Sequence, residues 1–157
     1  MESSPKESMR PSTGSSPSPL FVDTWGWLVL EDRRHPAHLP VVQLRRQHSD
    51  SGGLLVTTDY VLDEMVTRLF ARRPFTEAEA FCSQVFQAGK VGLLRIEPIT
   101  PERFEKAYGL RLRYRDKPRI SFTDLTSFAV MRELGVRRAL TGDAHFRQVH
   151  LGFQTLP

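Results

Sequence analysis

The sequence predicts an α/β fold in which a mostly parallel sheet of roughly four or five strands is covered by helices on both faces. Short apolar runs suited to buried strands alternate with longer segments of helical periodicity, as expected for right-handed crossovers between parallel strands. The chain has 157 residues, of which 39% are hydrophobic and 25% charged, and these values are typical of one packed globular domain.

The N-terminal segment is expected to lie outside the packed domain. Residues 1–19 contain seven serines and four prolines but no aromatic residue. They also have neither the apolar stretch nor the cleavage site of a signal peptide. We therefore expect a disordered Ser/Pro-rich tail over residues 1–19 and a folded domain over residues 20–157.

Two features favour a cytoplasmic protein that does not enter a membrane. The most apolar stretch, Leu20 to Leu30, is interrupted by Asp23 and is much shorter than the roughly 18 residues that span a bilayer. The only cysteine is Cys82, so no disulfide can form within the chain. Cys82 itself is interpreted as a small buried hydrophobe.

The first half of the predicted domain begins with two strands of similar design. Leu20–Val22 is a short apolar run, and Asp23 and Thr24 after it are good residues for capping a helix that continues through Trp25. Residues 54–57 repeat the apolar run as a second strand. Apolar residues then recur at helical spacing from Asp59 to Arg72, which predicts a helix.

The next elements are another helix, a third strand and a further helix. Thr76 is the predicted N-cap of the first of these, which should end near Gly89, and residues 91–96 form the predicted strand. Thr100, followed by proline at the first helical position, predicts a helix that ends at about Tyr114.

The last elements follow a basic loop. Ser121 is the predicted N-cap of a helix with apolar residues from Phe122 to Leu134. Residues 138–141 form a fourth predicted strand, Asp143 is expected to cap a short helix, and residues 153–155 can add an edge strand.

Four carboxylates stand where parallel α/β sheets place their binding sites. Asp23, Asp124 and Asp143 lie at strand ends or helix N-termini, and Glu64 lies one turn further along its helix. Each has an ordinary alternative: Asp23 and Asp143 can be N-caps, Glu64 can face solvent, and Asp124 can close a capping box with Ser121.

Together the four acids are expected to converge. Each close pair would repel by about 4 kcal/mol at an effective dielectric near 20, so a cation must offset them. Mg²⁺ or Mn²⁺ is the natural candidate because both prefer carboxylate oxygen. If these four carboxylates are set aside as a metal site, the net charge of +4 leaves a basic body around an acidic pocket, which suits a polyanion, although ordinary surface charge explains the number as well.

Four segments in order resemble the acidic motifs of PIN domains, and they are most similar to those of VapC-type toxins from toxin–antitoxin pairs. The segments are FVDT (21–24), TTDYVLDE (57–64), SFTDLTSFAVM (121–131) and ALTGDAHF (139–146). The resemblance covers roughly residues 20–157, which is nearly everything except the tail.

The resemblance implies a three-layer α/β/α sandwich that acts as a metal-dependent endoribonuclease, with Mg²⁺ as cofactor and Mn²⁺ as the alternative. The implied metal-site and catalytic residues are Asp23, Glu64, Asp124 and Asp143. Thr141 matches a small hydroxyl residue of the family and is expected to orient a water or a phosphate. An RNA substrate, a small antitoxin protein and a second copy of the chain are the implied partners.

Other residues admit a functional interpretation with less support. The basic loop could guide RNA phosphates, and Arg115 and Lys117 are the chosen candidates, although a solvated face or an antitoxin contact explains the loop equally well. Its basic residues are Arg111, Arg113, Arg115, Lys117 and Arg119. Asp59 and Asp116 are interpreted as structural, His145 as a surface or capping residue, and Trp25 and Trp27 as core.

The residue types favour hydrolysis by water. No serine, cysteine or histidine of this set stands where a nucleophile and its base would be expected, so an ion would have to lower the pKa of the attacking water. An aspartyl phosphatase is disfavoured because Trp25 occupies the second position of its Asp-x-Asp motif. A PIN-like module that only binds RNA or protein remains the alternative, and four intact acids argue against it.

Overall fold

A five-stranded sheet lies at the centre of the computed structural model, which describes residues 14–157. The strands are β1 (Leu20–Val22), β2 (Leu55–Thr58), β3 (Leu94–Glu97), β4 (Arg138–Leu140) and β5 (Gln154–Leu156). They are arranged in the order β3-β2-β1-β4-β5, and every neighbouring pair is parallel. The predicted α/β class is confirmed, and residues near 153–155 do form the expected edge strand.

Helices connect the strands on both faces of the sheet. Within the described residues they are α1 (Thr24–Glu31), α2 (His38–Asp50), α3 (Asp59–Arg72), α4 (Phe75–Lys90), α5 (Pro101–Arg113), α6 (Phe122–Leu134) and α7 (His145–Gln148). The chain runs from β1 to β3 in one direction across the sheet and then returns through β4 to β5. Because such crossovers are right-handed, the two runs place their helices on opposite faces. This arrangement is the predicted three-layer sandwich.

Strand β1 is the centre of the core. Its three residues are completely buried, and Phe21 pairs with Val56 on one side and Ala139 on the other. The buried hydroxyl of Thr57 donates a hydrogen bond of 2.9 Å to the carbonyl of Val22, where β1 ends. The residue that follows β1 therefore emerges between the ends of two neighbouring strands, which is where a parallel sheet forms a binding crevice.

Helix α1 packs unusually close to the sheet. A Cβ atom at Gly26 would lie 2.7 Å from the carbonyl oxygen of Leu140, so only glycine allows this approach. The contact holds the first turn of α1 against the carboxyl end of β4. As a consequence, Asp23 and Thr24 lie beside the segment that follows β4.

Two predicted boundaries are wrong. Helix α4 begins at Phe75, with Pro74 rather than Thr76 at the N-cap. Strand β3 begins at Leu94 rather than at residue 91, because the amide of Val91 donates to the carbonyl of Gln87 at the end of α4.

Helix α2 has no counterpart in the sequence prediction. Its mean hydropathy is low, and His48 occupies one of its few buried positions, where an apolar residue would have revealed the helical pattern. The imidazole Nε2 lies 3.0 Å from the carbonyl oxygen of Leu54, which explains how a polar ring is accommodated there.

The predicted tail is only partly within the structure. Residues 14–19 form neither helix nor strand, and residues 1–13, where most of the tail was predicted, lie outside the described residues. Over the part of the chain that is described, none of the helices has the length and apolar character needed to cross a bilayer.

A buried arginine joins three elements far from the sheet centre. The guanidinium of Arg103 on α5 donates to Glu97 at the end of β3 over 2.7 Å, to Glu133 on α6 over 2.9 Å and to the carbonyl of Pro98 over 2.8 Å. The hydrogen bonds to Glu133 and then to Glu97 raise the pKa of Arg103, so the ion pair is kept charged. Because Glu97 is buried, its charge depends on this partner and on Arg95, which pairs with the other carboxylate oxygen from a more exposed position.

Replacing Arg103 by alanine should lower the free energy of unfolding by about 3 kcal/mol, because the buried carboxylate of Glu97 would keep only the more exposed of its two cations, Arg95. Urea denaturation at neutral pH measures this loss. Lys106→Ala is the control, since this exposed lysine lies 4.0 Å from the same Glu133 and should matter by less than about 1 kcal/mol. Equal losses in both variants would contradict the role given to Arg103.

Candidate metal centre

A cleft of about 330 Å³ opens beside the carboxyl end of β1 and contains all four predicted acids. It lies between the first turns of α1 and α6, the second turn of α3 and the segment after β4. The residues that line it are Asp23, Thr24, Trp25, Glu64, Arg68, Arg119, Ser121, Asp124, Gly142, Asp143 and His145. The strand order therefore brings together residues that are separated by up to 122 positions in sequence.

Asp23 is the most deeply placed acid. It is 3% exposed and follows β1 directly, and its carboxylate makes no capping hydrogen bond to α1. Instead, the hydroxyl of Thr141 donates to its Oδ2 over 2.9 Å. That same hydroxyl accepts from the amide of Asp143 over 3.0 Å, so it links two of the acids. The alternative of a simple N-cap for Asp23 does not describe this geometry.

Glu64 approaches the cleft from α3. Its Oε2 accepts a hydrogen bond of 3.0 Å from the hydroxyl of Thr24, and its Oε1 pairs with the guanidinium of Arg68 one turn later. The side chain is 26% exposed, which leaves it open to the cleft. A solvated helix face is therefore not its environment.

Asp124 belongs to only half of the capping box that its spacing allows. Its amide donates to the hydroxyl of Ser121 over 3.1 Å, as in an N-cap, so the predicted start of α6 is confirmed. Its carboxylate, however, faces the cleft, where it lies close to Asp143 and His145. The serine caps the helix, and the aspartate is directed at the site.

Asp143 and His145 form a tight turn after β4. The amide of His145 donates to Oδ1 of Asp143 over 2.8 Å, although Ala144 rather than Asp143 is the N-cap residue of α7. The imidazole Nδ1 lies 3.2 Å from the same Oδ1 and 3.6 Å from Oδ2 of Asp124. This turn points the ring of His145 into the cleft rather than to the surface.

Burial and mutual repulsion raise the pKa of two acids of this cluster, Asp23 and Asp124. Burial, with smaller contributions from the charges of Asp143 and Glu64, raises the pKa of Asp23 to about 6. The pKa of Asp124 is raised further, first by burial and then by the charges of Asp23 and Asp143. At neutral pH the negative charge of these acids is therefore not fully compensated by positive charge within the cleft.

The donors present fit a divalent cation. One ligand atom each from Asp124, Asp143 and His145 lies within 4.8 Å of the others. The Nδ1 of His145 is buried and, among the described residues, has no hydrogen-bond partner. Several carboxylate oxygens that repel one another, with an imidazole nitrogen that lacks a proton donor or acceptor, are a donor set suited to Mg²⁺ or Mn²⁺.

The cationic residues at the cleft differ from the two that were chosen from the sequence. Arg68 and Arg119 line it, whereas Arg115 and Lys117 do not. The ammonium of Lys117 instead pairs with the exposed carboxylate of Asp116 over 2.7 Å. This pairing accounts for the structural interpretation of Asp116 and leaves Arg119 as the member of the basic loop nearest the acids.

Arg111, in the last turn of α5, holds the basic loop that follows the helix. Its guanidinium donates to the carbonyls of Tyr114, Lys117 and Ile120 over 2.6, 2.7 and 2.8 Å. Because these hydrogen bonds engage the guanidinium, it holds the shape of the loop and is not available to bind RNA phosphates. The loop that it shapes leads directly to Ser121.

Seven residues that line the cleft were not among the predicted site residues: Thr24, Trp25, Arg68, Arg119, Ser121, Gly142 and His145. Trp27 is buried as expected, but Trp25 is half-buried and its ring packs over Gly142, where a Cβ atom would collide with it. Only the adjacency of Thr24 and Trp25 to Asp23, and of His145 to Asp143, could have suggested them from sequence.

Two other sequence interpretations concern residues away from the cleft. Asp59 accepts hydrogen bonds from the amides of Tyr60 and Ile99, over 2.9 and 3.0 Å, and so joins α3 to the segment after β3. Its structural interpretation fits these contacts. Cys82 is buried in the core as a free thiol.

A small parallel α/β fold with clustered acids at the carboxyl end of its central strand defines the class to which this protein belongs. The PIN domain model matches residues 20–151, and the chain is a member of the PIN domain family.

Two relatives are the 23S rRNA-specific endonucleases VapC20 from Mycobacterium tuberculosis strains CDC 1551 / Oshkosh and H37Rv. Each is 30% identical over 127 residues, which cover 81% of this chain and 91% of the relative. The crystal structure of the M. tuberculosis VapC20, described as a Sarcin-Ricin loop cleaving toxin, is similar to this chain with a TM-score of 0.72. It is 29% identical, and the match covers 86% of this chain and 96% of that one.

Removing the charge of Asp124 should stabilise the protein when a chelator is present, and the gain should grow with pH. The folded-state pKa of Asp124 is raised above its unfolded value of about 3.9, so ionisation costs stability as the pH rises above about 4. Asp124→Asn escapes this cost and should gain on the order of 1–3 kcal/mol at pH 8 but little at pH 4. Urea denaturation in EDTA at both pH values measures the difference.

The control is Asp63→Asn, on the same helix as Glu64 but exposed to solvent, which should change stability by less than about 0.5 kcal/mol at either pH. A gain in Asp124→Asn that is independent of pH would mean that its carboxylate has an ordinary environment.

Proposed function

We propose that this protein is a metal-dependent endoribonuclease and the toxin of a toxin–antitoxin pair. The observation that carries the proposal is the gathering of Asp23, Glu64, Asp124 and Asp143 in one cleft at the carboxyl end of the central strand. Membership of the PIN domain family and the names of the VapC20 relatives, which describe ribonucleases, support it.

The four acids are the proposed ligands of Mg²⁺ or Mn²⁺. A divalent ion in this cleft supplies a lowered pKa for the attacking water and charge neutralisation at the phosphodiester. Thr141, by donating to Asp23, fixes the orientation of that carboxylate, and Thr24 does the same for Glu64. The proposed role of Thr141 is therefore support of the acids, and the contact with water or phosphate that the sequence suggested stays a prediction.

Water is the proposed nucleophile because the hydroxyl groups at the cleft are already engaged in hydrogen bonds. The hydroxyl of Ser121 caps α6, and those of Thr24 and Thr141 donate to acids. No serine of the cleft has a histidine as hydrogen-bond partner among the described residues. Hydrolysis of RNA by an activated water is the chemistry that these groups support.

The RNA backbone is proposed to enter beside Arg68 and Arg119. Arg68 lines the cleft from α3, where it also pairs with Glu64, and Arg119 lines it as an exposed residue near the end of the basic loop. Guanidinium groups are well suited to bind phosphates through paired hydrogen bonds. The relatives act on 23S rRNA by their names, so 23S rRNA is the substrate that we propose for this chain.

A small antitoxin and a second copy of the chain are the proposed protein partners, and the cytoplasm is the proposed location. A stripe of exposed apolar side chains on α5 supports partner binding. Phe104, Tyr108 and Leu112 follow one another at four-residue intervals and are 45, 55 and 52% exposed. Exposed apolar stripes of this kind are typical of protein interfaces.

A PIN-like module without activity is the less favoured function. Such a module would have no use for four acids whose burial and repulsion raise the pKa of Asp23 and Asp124. A binding surface does not need buried negative charge, whereas a metal site does.

Cleavage should depend on the charge of the acids and not on their shape. Asp143→Asn keeps the oxygen that accepts from the amide of His145 but loses the charge, so it should cleave RNA at least about 100-fold more slowly, beyond the cost typical of lost supporting partners. A time course on 23S rRNA in purified ribosomes, with a mock purification run in parallel, measures the rate. Asp63→Asn should match the unaltered protein. Full activity of Asp143→Asn would contradict the proposed metal-dependent mechanism.

Metal should stabilise the folded protein. At a hundred times the dissociation constant, one Mg²⁺ or Mn²⁺ ion is expected to add about 2.7 kcal/mol to the free energy of unfolding, and EDTA should reverse the gain. Thermal unfolding at pH 7.5 over a range of metal concentrations measures it. A melting temperature that does not respond to millimolar metal would show that the cleft does not bind these ions.

A further inference from the structure

Nδ1 of His145 is, within the described part of the chain, the one buried side-chain nitrogen or oxygen that has no hydrogen-bond partner. The nitrogen is buried although a quarter of the side chain is exposed. Buried polar atoms in folded proteins nearly always have a partner, so one that lacks it requires an explanation.

The turn after β4 holds this nitrogen in place. The amide of His145 is tied to Asp143 over 2.8 Å, which fixes the start of α7 and the direction of the ring. Nδ1 lies 3.2 Å from an oxygen of Asp143 and 3.6 Å from one of Asp124, yet it forms a hydrogen bond with neither. The nitrogen is thus close to two acids but not aligned with either one.

A shared ligand explains this arrangement better than a hydrogen bond does. The three donor atoms of Asp124, Asp143 and His145 lie within 4.8 Å of one another, and atoms that surround one cation are expected to be near each other without being bonded to each other. A neutral imidazole offers a lone pair on one nitrogen and carries its proton on the other. The exposed part of the ring leaves the second nitrogen accessible to water.

We infer that His145 is a further ligand of the divalent ion, bound through Nδ1 next to Asp124 and Asp143, and that it gives the site a preference for Mn²⁺ over Mg²⁺. This inference rests on the proposed function of the cleft, and it adds a nitrogen donor to the four acids. Nitrogen ligands favour transition-metal ions, whereas Mg²⁺ prefers oxygen ligands.

Electron spin-echo spectroscopy on the Mn²⁺-loaded protein tests the contact directly. A histidine nitrogen bound to Mn²⁺ produces a ¹⁴N modulation, and labelling histidine with ¹⁵N should change its frequency without any substitution. The modulation should be lost in His145→Gln and retained in His150→Gln, a control at an exposed histidine of the same segment. Circular dichroism establishes that both variants fold.

Metal affinities provide a second readout. Calorimetric titration of the unaltered protein should show tighter binding of Mn²⁺ than of Mg²⁺, and His145→Gln should weaken Mn²⁺ binding by about 10-fold or more while it changes Mg²⁺ binding much less. A supporting residue that only orients the acids would weaken both ions alike. His150→Gln should leave both affinities unchanged.

The two proposals fail in different ways. If Mn²⁺ binds and RNA is cleaved but the unaltered, ¹⁴N-containing protein shows no nitrogen modulation, or the modulation persists in His145→Gln, His145 is not a ligand and the proposed function stands. An equal loss of Mn²⁺ and Mg²⁺ affinity in His145→Gln would also overturn the inference. If neither ion binds the unaltered protein, the metal-dependent function itself is wrong.

Discussion

The repulsion among carboxylates gathered at the end of the central strand is the constraint on which this structure depends. A parallel sheet with β1 in the middle forces the residue after it, Asp23, into a buried position between two neighbouring strand ends. The protein offsets part of that cost with hydroxyls, since Thr141 and Thr24 each donate to an acid, and with the guanidinium of Arg68. These contacts orient the acids but do not neutralise them. Without a bound cation, the cleft therefore holds acids whose negative charge is compensated only in part, and the raised pKa of Asp124 reflects this.

Much of the fold follows from local sequence because local preference and tertiary structure agree. Strands such as Leu20–Val22 are uniformly apolar, and helices such as α5 and α6 begin at hydroxyl residues that cap them. The exceptions have physical reasons. Helix α2 buries His48 where an apolar residue would mark the pattern, so its periodicity is hidden. The start of β3 is delayed because the chain first closes a turn on the end of α4, a contact that composition does not reveal.

The site was predictable to the extent that sheet topology determines it. The ends of parallel strands meet, so acids placed after them converge whatever the intervening sequence. Sheet topology does not determine the direction in which each side chain points. His145 enters the cleft because one amide hydrogen bond to Asp143 turns the chain there, and Lys117 leaves it because Asp116 pairs with its ammonium. Contacts between adjacent residues of this kind depend on backbone angles that the sequence pattern alone does not specify.

The hydrogen bonds that Arg111 donates to the basic loop determine which positions of the loop can vary in sequence. Its three hydrogen bonds all go to backbone carbonyls, so the path of the loop from Tyr114 to Ile120 does not depend on which side chains the loop carries. Exposed residues such as Arg115 and Arg119 can be exchanged while the loop still delivers Ser121 to the start of α6. Natural variation at these exposed loop positions can therefore alter which molecules this part of the surface attracts without disturbing the acids of the cleft, and selection can act on the two regions separately.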